Sequence, residues 1–258
     1  MHPTIDTHLA YNQLMIIREI QSKTILSKSQ VYPYVINPYT GCQHNCTYCY
    51  ARFMKRFTGH KEPWGQFVDV KINAPDLLRS EIKRKKPDRA WVSGVCDPYQ
   101  PLEGKYQLTR QCLQILVENA WPVTIQTRSP LVLRDIDLLS QGKDFEIGLS
   151  ITTADDSIRK IFEPNAPPIP SRLNALAELH RVGLHTYAMI APILPHSEPL
   201  AEMLADKVDY VRTDRMNYHH ADWVYRKYSL ESYNTDEYFM GVEQVLSSAF
   251  AGFGIPIR

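Results

Sequence analysis

Three of the five cysteines in this 258-residue chain lie close together, at Cys42, Cys46 and Cys49. A short loop with this spacing can turn three thiolates toward one soft metal centre while its backbone N–H groups face the sulfurs. Structural zinc sites and electron-transfer [4Fe–4S] clusters use four protein ligands, and neither Cys96 nor Cys112 has a nearby cysteine partner. The loop therefore predicts a metal centre with three protein ligands and one open position, although zinc also suits three cysteines.

The residues around these cysteines resemble the cluster loop of a known enzyme superfamily. Three cysteines separated by three and two residues, with an aromatic residue directly before the last one, are similar to the loop of the radical S-adenosylmethionine (SAM) superfamily. The longer string resembles that of the spore photoproduct lyase family and its shorter relatives: Gly41-Cys42-x-His44-x-Cys46-x-Tyr48-Cys49-Tyr50-Ala51-Arg52. The resemblance extends, more thinly, from about Tyr32 to Tyr218.

The resemblance implies cofactors and a reaction. Cys42, Cys46 and Cys49 would hold three irons of a [4Fe–4S] cluster, and SAM would chelate the fourth iron through its amine and carboxylate. An electron donor such as flavodoxin or ferredoxin would drive cleavage of SAM to a 5′-deoxyadenosyl radical, which abstracts a substrate hydrogen. In the lyase family the substrate is a cross-linked thymine dimer. Tyr48 and Tyr50 fall where the family relays the radical back toward deoxyadenosine, and packing against the cluster or adenine is the alternative for Tyr48.

The composition suits a soluble globular enzyme, with 44% apolar and 22% charged residues. Twenty-nine basic and 28 acidic residues leave a net charge of +1, so any contact with nucleic acid must be local. No run of about 18 apolar residues and no N-terminal signal pattern is present, so we expect neither secretion nor a membrane span. Clustered free thiols indicate a reducing compartment, and we expect a cytoplasmic protein.

Strand and helix patterns alternate after the cysteine loop. We predict strands at 32–37, 90–95, 122–127, 145–152, 185–193 and 210–213, and helices at 74–86, 108–120, 131–140, 171–182, 200–205 and 235–250. Strands joined by crossover helices form parallel sheets. We therefore predict an α/β fold, an open six-stranded (β/α)6 partial barrel with a C-terminal helical extension. The resemblance implies the same architecture, whereas periodicity alone leaves a doubly wound sheet open.

The chain divides into three predicted segments. An N-terminal extension covers 1–30, with a short amphipathic helix at 11–20, and the partial barrel covers 31–216. An aromatic-rich segment and helix at 217–258 close the barrel, and its aromatic and basic residues equally suit single-stranded nucleic acid. The segment 162–172 is proline-dense, which predicts a rigid connection without helix, and it resembles a family segment that we place at the rim of the site.

Polar residues at the carboxyl ends of parallel strands are candidates for the site, because ligands gather there. The second predicted strand ends in a turn with Ser93, Gly94 and Asp97, where the family meets the methionine amine of SAM. Arg128 follows the third strand, where a family segment has a lysine that contacts the SAM carboxylate; arginine can bind a carboxylate through two hydrogen bonds. Ser150 matches a family serine that contacts SAM, and ordinary backbone hydrogen bonding is its alternative.

Cys96 lies 47 positions after Cys49, near the place where spore photoproduct lyases carry a cysteine that gives a hydrogen atom to the substrate radical. A thiol S–H bond is weak enough for that role, and the alternative is a free cysteine that packs as a small apolar residue. Cys112, between Leu108 and Leu116 in a predicted helix, is assigned to the core.

Three functions remain open at this stage. The first is a lyase that repairs a thymine-dimer lesion in DNA, and the second is a radical SAM enzyme acting on a peptide, an RNA base or a small metabolite. The third is a non-enzymatic iron–sulfur or zinc module. The chain is shorter than the true lyases, and no counterpart of the hairpin with which they open the duplex is recognisable.

Overall fold

The computed structural model describes residues 15–258. Within that range the strands are β1 (Ile16–Ile20), β2 (Leu26–Lys28), β3 (Tyr34–Ile36), β4 (Tyr39–Thr40), β5 (Phe67–Lys71), β6 (Ala90–Val92), β7 (Val123–Thr127), β8 (Phe145–Ser150), β9 (His185–Ile190) and β10 (Tyr210–Thr213). The α-helices are α1 (Ala74–Ile82), α2 (Glu103–Tyr106), α3 (Leu108–Glu118), α4 (Ile136–Leu139), α5 (Asp156–Phe162), α6 (Ile169–Arg181), α7 (Leu200–Leu204), α8 (Asp222–Lys227) and α9 (Asp236–Gly252). Short 3-10 helices cover Tyr50–Phe57, Pro130–Asp135, His219–Ala221 and Glu231–Tyr233.

The main sheet has seven strands in the order β10-β9-β8-β7-β6-β3-β2. β3, β6, β7, β8, β9 and β10 run parallel to one another, and β2 pairs with β3 in the antiparallel direction. These six parallel strands are the six that the sequence predicts. β2 and β10 lie at opposite edges of the sheet, so the predicted α/β fold with an open (β/α)6 partial barrel is confirmed.

A continuous apolar core lies between the main sheet and its crossover helices. Ile125 of β7, Ile147 of β8 and Ala188 of β9 are fully buried, as expected for parallel strands covered by helices. Leu113 and Cys112 of α3 are also fully buried in this core. The assignment of Cys112 to the core is therefore confirmed.

A second sheet, in the order β1-β5-β4, corrects the predicted helix at 11–20. Ile16–Ile20 forms strand β1, which pairs in parallel with β5, while positions 11–14 lie outside the described residues. A short apolar stretch has the same pattern in a helix and in a strand. Here the backbone of β5 provides the hydrogen-bond partners that a strand requires. The strand β4 carries the chain into the cysteine loop, so this small sheet supports the loop from one side.

Two further predictions about helices need correction. Helix α6 begins at Ile169, inside the segment predicted to lack helix, with Pro170 in its first turn. Proline is tolerated there because the N–H group that it lacks would have no partner within the helix. The predicted helix at 131–140 is divided between the 3-10 helix Pro130–Asp135 and the short helix α4.

The C-terminal helix α9 is capped as its sequence suggests. The hydroxyl of Thr235 accepts a hydrogen bond of 3.1 Å from the backbone N–H of Tyr238. Phe239, Leu246 and Phe250 are buried, and α9 packs against α7. Within residues 15–258, no helix combines the length and apolar character that crossing a bilayer requires.

We expect Gly148→Ala to destabilise the fold. A Cβ atom at Gly148 would lie 2.1 Å from the ring of Tyr187, whose hydroxyl donates a 3.0 Å hydrogen bond to the carbonyl of Ile125. The strand would have to shift, at a cost of about 1–3 kcal/mol in the free energy of unfolding. Denaturant titration measures this, with Gly241→Ala in α9 as the control. A Cβ atom at Gly241 meets open space, so that variant should gain about 0.5–1 kcal/mol. Equal stability of both variants would contradict the prediction.

Candidate active site

The cysteine loop begins directly after β4 with Gly41, a position where the close approach of β5 leaves no room for a side chain. Gly41 has a φ of +95°, and a Cβ atom on it would lie 2.2 Å from the carbonyl oxygen of Phe67 in β5. A side chain at position 41 would push the loop away from the small sheet. Gly41 therefore fixes the direction in which Cys42 enters the site.

Two separate segments hold the loop in place. The backbone N–H of Gln43 donates to Gln100 Oε1 at 3.0 Å, and the Gln43 side chain accepts from the N–H of Leu102 at 2.7 Å. On the other side, the N–H of Thr47 donates to the carbonyl of Phe162 at 2.8 Å. The loop is thus bonded both to the turn after β6 and to the end of α5.

The three thiols of the loop are free and mostly shielded from solvent. Cys42 and Cys46 are 8% and 7% exposed, and Cys49 is partly buried. Burial raises the pKa of the Cys46 thiol to about 12, although Arg128 counteracts it. Burial also raises the pKa of Cys42 and of Cys49, while the backbone N–H groups of His44 and Ala51 act in the opposite direction. These N–H donors are suited to stabilise thiolates that bind a metal.

The donor set fits an iron–sulfur cluster with three protein ligands. No three His, Cys, Asp or Glu side chains within residues 15–258 are spaced to hold a single metal ion. In a cluster each thiolate binds a different iron, so the ligands converge less closely than around one ion. Beside the thiols, the indole N–H of Trp64 is buried without a hydrogen-bond acceptor among the described residues. A cluster would supply sulfur acceptors at this place.

Glu163 is the charged centre beneath the cysteine loop. Its carboxylate is fully buried and accepts hydrogen bonds from the hydroxyls of Tyr48 and Thr152 and from the guanidinium groups of Arg128 and Arg172. Burial opposes its ionisation, but Arg172, Arg128 and Tyr48 outweigh that effect and lower the pKa of Glu163 to about 2. Glu163 and Arg172 were expected at the rim, and the structure places both in the interior.

Arg128, predicted to bind the SAM carboxylate, already has protein partners. Its Nε donates to Glu163 at 3.2 Å and its Nη2 donates to the Tyr48 hydroxyl at 3.0 Å. Its Nη1 donates to no atom of residues 15–258, so one edge of the guanidinium group is available to a ligand. The SAM contact stays a prediction, and the structure adds that Arg128 positions Tyr48.

Asp97 joins three parts of the site. Its Oδ1 accepts from the Tyr99 N–H at 2.9 Å and from the Thr127 hydroxyl at 2.5 Å, and its Oδ2 accepts from the Arg128 N–H at 2.8 Å. His44 Nε2 lies 3.2 Å from the same Oδ2. Burial opposes the ionisation of Asp97, but His44 and these hydrogen bonds lower the pKa of Asp97 to about 2. Both oxygens of Asp97 thus have partners within the protein, and its contact with SAM stays a prediction.

Asn37, directly after β3, organises the turn after β6. Its Oδ1 accepts hydrogen bonds from the Ser93 hydroxyl at 2.6 Å, the Gly94 N–H at 2.9 Å and the Val95 N–H at 3.0 Å. The Ser93 hydroxyl also lies 2.9 Å from Cys96 Sγ. Asn37 is not among the residues that the sequence analysis predicts for the site, and its place at the end of a parallel strand is the signal that identifies it.

Tyr50 connects this turn to an aromatic group at the surface. Its hydroxyl donates to the carbonyl of Gly94, and its ring stacks on Tyr218 with centroids 6.2 Å apart and planes 20° apart. Tyr218 in turn stacks on His220 at 5.6 Å and 6°. Tyr50 and Tyr218 are 39% and 52% exposed, so part of each ring is accessible to a ligand.

Ser150, at the end of β8, is fully buried. Its hydroxyl accepts from Gln126 Nε2 at 3.3 Å, and its carbonyl accepts from Arg172 Nη1 at 2.9 Å. It therefore lies beside the arginine that pairs with Glu163, and its contact with SAM stays a prediction.

Comparison with protein families now adds to this geometry. Residues 36–206, which include the cysteine loop and the ends of all six parallel strands except β10, match the model of the radical SAM superfamily. The chain belongs to the radical SAM superfamily. The superfamily uses a [4Fe–4S] cluster and SAM, so the predicted resemblance and the cofactor prediction are confirmed. Its enzymes also need a reductant.

Individual relatives agree with this assignment. An uncharacterised protein of Methanocaldococcus jannaschii is 38% identical over 186 residues, which cover 71% of this chain and 70% of the relative. A radical SAM Nα-GlyT isomerase of Pseudomonas phage M6 is 26% identical, over 61% of this chain and 32% of that protein. Among solved structures, a spore photoproduct lyase complexed with dinucleoside spore photoproduct matches with a TM-score of 0.68 at 17% identity, over 93% of this chain and 81% of that one. The fold resemblance to this lyase is therefore confirmed.

We expect Glu163→Gln to lower stability at neutral pH and to weaken its dependence on acid. The pKa of Glu163 lies below its unfolded value of about 4.3, so its contribution is complete above about pH 5 and is lost as the pH falls toward 2. Leaving two buried arginines without their carboxylate should cost about 3–5 kcal/mol at pH 7.

Urea titration of the cluster-free, reduced protein between pH 7 and pH 3 measures both effects. Glu178→Gln is the control, because Glu178 pairs with Arg181 on the exposed face of α6 and should change little. Parallel stability curves for wild type and Glu163→Gln would contradict the assignment of Glu163 as a structural charge.

Proposed function

We propose that this protein is a radical SAM enzyme in which Cys42, Cys46 and Cys49 bind the cluster and Cys96 returns a hydrogen atom to the substrate. When bound, the cluster and SAM supply a 5′-deoxyadenosyl radical that abstracts hydrogen from a carbon atom. The observation that carries the proposal is the position of Cys96: it lies four residues after the end of β6 and packs against the buried cluster that contains Cys42. Flavodoxin or ferredoxin is the proposed electron donor.

The environment of Cys96 suits a donor of hydrogen atoms. Burial raises the pKa of its thiol to about 12, so the sulfur keeps its hydrogen at neutral pH. The Ser93 hydroxyl 2.9 Å away holds the thiol in one orientation, and Asn37 holds that serine in turn. Cys96 is partly buried, whereas Cys112 lies in the apolar core. Only Cys96 of these two can meet a ligand.

The two loop tyrosines differ in what they can do with a proton. Tyr48 donates its hydroxyl hydrogen to the Glu163 carboxylate. If the thiyl radical that Cys96 leaves after donating its hydrogen atom takes one electron from Tyr48, Glu163 can take up the phenol proton, and the Cys96 thiolate regains a proton from solvent. Tyr50 donates to the Gly94 carbonyl, which is a poor proton acceptor. We therefore propose Tyr48 as the residue that relays a radical, and Tyr50 as a residue that shapes the site through Gly94 and Tyr218.

A nucleobase is the substrate group that these surroundings favour. The partly exposed Tyr50–Tyr218–His220 stack is joined to the turn after β6 through the hydrogen bond from Tyr50 to Gly94. Base stacking on aromatic side chains contributes about 1–3 kcal/mol per base. The solved spore photoproduct lyase with a dinucleoside spore photoproduct supports the same substrate class. We propose that a cross-linked thymine pair is the first substrate to test, ahead of peptides and small metabolites.

We expect Cys42→Ala, Cys46→Ala and Cys49→Ala each to lose the cluster and reductive cleavage of SAM. Each variant removes one of only three protein ligands, whereas Cys112→Ala should retain both properties because Cys112 lies in the core. Iron and sulfide analysis after anaerobic reconstitution measures the cluster, and deoxyadenosine formation with dithionite measures cleavage. Zinc without sulfide in the wild type would instead indicate a non-enzymatic module.

We expect Cys96→Ala to bind the cluster and to cleave SAM, but to convert less of the product radical into normal product. With dinucleoside spore photoproduct as substrate, the variant should form more deoxyadenosine per molecule of normal product than the wild type, because solvent or reductant must quench the radical. Cys112→Ala provides the control for the loss of a buried thiol. The same ratio in wild type and Cys96→Ala would contradict the donor role, and no turnover by the wild type would contradict the substrate.

A further inference from the structure

Trp64 lies against the cysteine loop, and its indole nitrogen forms no hydrogen bond with residues 15–258. The side chain is 9% exposed and packs with Cys42, Ala51 and Cys49. Its ring meets Phe67 edge-on, with centroids 5.7 Å apart and planes at 88°. The Nε1–H group is buried and has no hydrogen-bond partner within residues 15–258. A buried N–H group without an acceptor is costly, so this orientation calls for an acceptor that the polypeptide alone does not provide.

The neighbouring sulfur is the acceptor that becomes available. Cys49 packs against the buried cluster that Trp64 forms with Cys42, Ala51 and Phe67, so its sulfur lies in the same apolar environment as the indole ring. A neutral thiol is a weak acceptor, whereas a thiolate bound to iron carries negative charge and accepts hydrogen bonds readily. The Trp64 donor thus gains a strong partner only when Cys49 is a ligand.

A tight turn fixes this geometry. Gly65 has a φ of +91°, and a Cβ atom on it would lie 2.0 Å from the side chain of Asn45. The backbone after Trp64 therefore packs directly against the residue that precedes Cys46. The turn after Trp64 and the cysteine loop are therefore in direct contact.

We propose that the Nε1–H group of Trp64 donates a hydrogen bond to the Cys49 thiolate of the cluster and raises the reduction potential of the cluster. A donated hydrogen bond stabilises negative charge on sulfur, and the reduced cluster carries one more negative charge than the oxidised one. The inference rests on the proposed binding of the cluster by Cys49. Trp64 is then a positioning and tuning residue that contacts no substrate.

The test is Trp64→Phe, which keeps an aromatic ring and removes the N–H group. Anaerobic redox titration followed by electron paramagnetic resonance should give a more negative midpoint potential for the variant, with unchanged iron and sulfide content. Trp91→Phe is the matched control. The indole nitrogen of Trp91 is also buried without a partner among the described residues, but its ring packs on Tyr32 at 5.6 Å. We expect Trp91→Phe to titrate like the wild type, and equal midpoint potentials for Trp64→Phe and wild type would overturn the proposal.

A measurement on the wild type keeps the proposal testable if Trp64→Phe fails to fold. Pulsed electron paramagnetic resonance of the reduced protein, with indole-15N tryptophan in deuterated buffer, should show coupling of the cluster to one indole nitrogen and to its exchangeable deuteron. An intact cluster without this coupling would overturn the inference while leaving the proposed function standing. A wild type without iron and sulfide would overturn both.

Discussion

A carboxylate without solvent contact must be surrounded by hydrogen-bond donors, and Glu163 meets this requirement with groups from four elements. Tyr48 comes from the cysteine loop, Arg128 from the end of β7, Thr152 from the segment after β8, and Arg172 from α6. Because the cost of an unpaired buried charge is several kcal/mol, roughly 3–5 when one partner is removed, these elements cannot separate independently. The position of the cluster loop over the sheet therefore depends on one ionised side chain.

Asp97, on the other side of the cysteine loop, is likewise a buried carboxylate surrounded by hydrogen-bond donors. It indicates that the string of polar residues that follows β6 has a structural role. Tyr99, within that string, donates to Asp135 at 3.0 Å, and Glu103 accepts from Tyr39 at 2.5 Å. These side chains are buried and satisfied within the protein. The polar residues of this string thus serve mainly to hold the turn that contains Cys96.

The sequence was most informative where one local pattern suffices. Strand periodicity predicts all six parallel strands, and the spacing of three cysteines predicts membership of the radical SAM superfamily, because both signals lie within a few neighbouring residues. The partners of the site were harder to predict: Asn37 acts on a turn 56 residues away, and Glu163 acts on Tyr48 at a separation of 115. Nothing local in the sequence identifies such pairs. The strand β1 was mistaken for a helix for the same reason, since its partner β5 is distant in the chain.

Charge and shape together limit how a polyanionic substrate can be recognised. A net charge of +1 provides no long-range attraction to a polyanion. The chain as a whole therefore does not gain affinity for nucleic acid by releasing many counterions from its phosphates. What the surroundings of Gly94 offer is ring surface, through Tyr50 and Tyr218. Stacking depends on the base and only weakly on the phosphate backbone, so it suits a short or locally opened strand better than an intact duplex. For the proposed nucleobase substrate, recognition therefore rests on contact with the lesion itself.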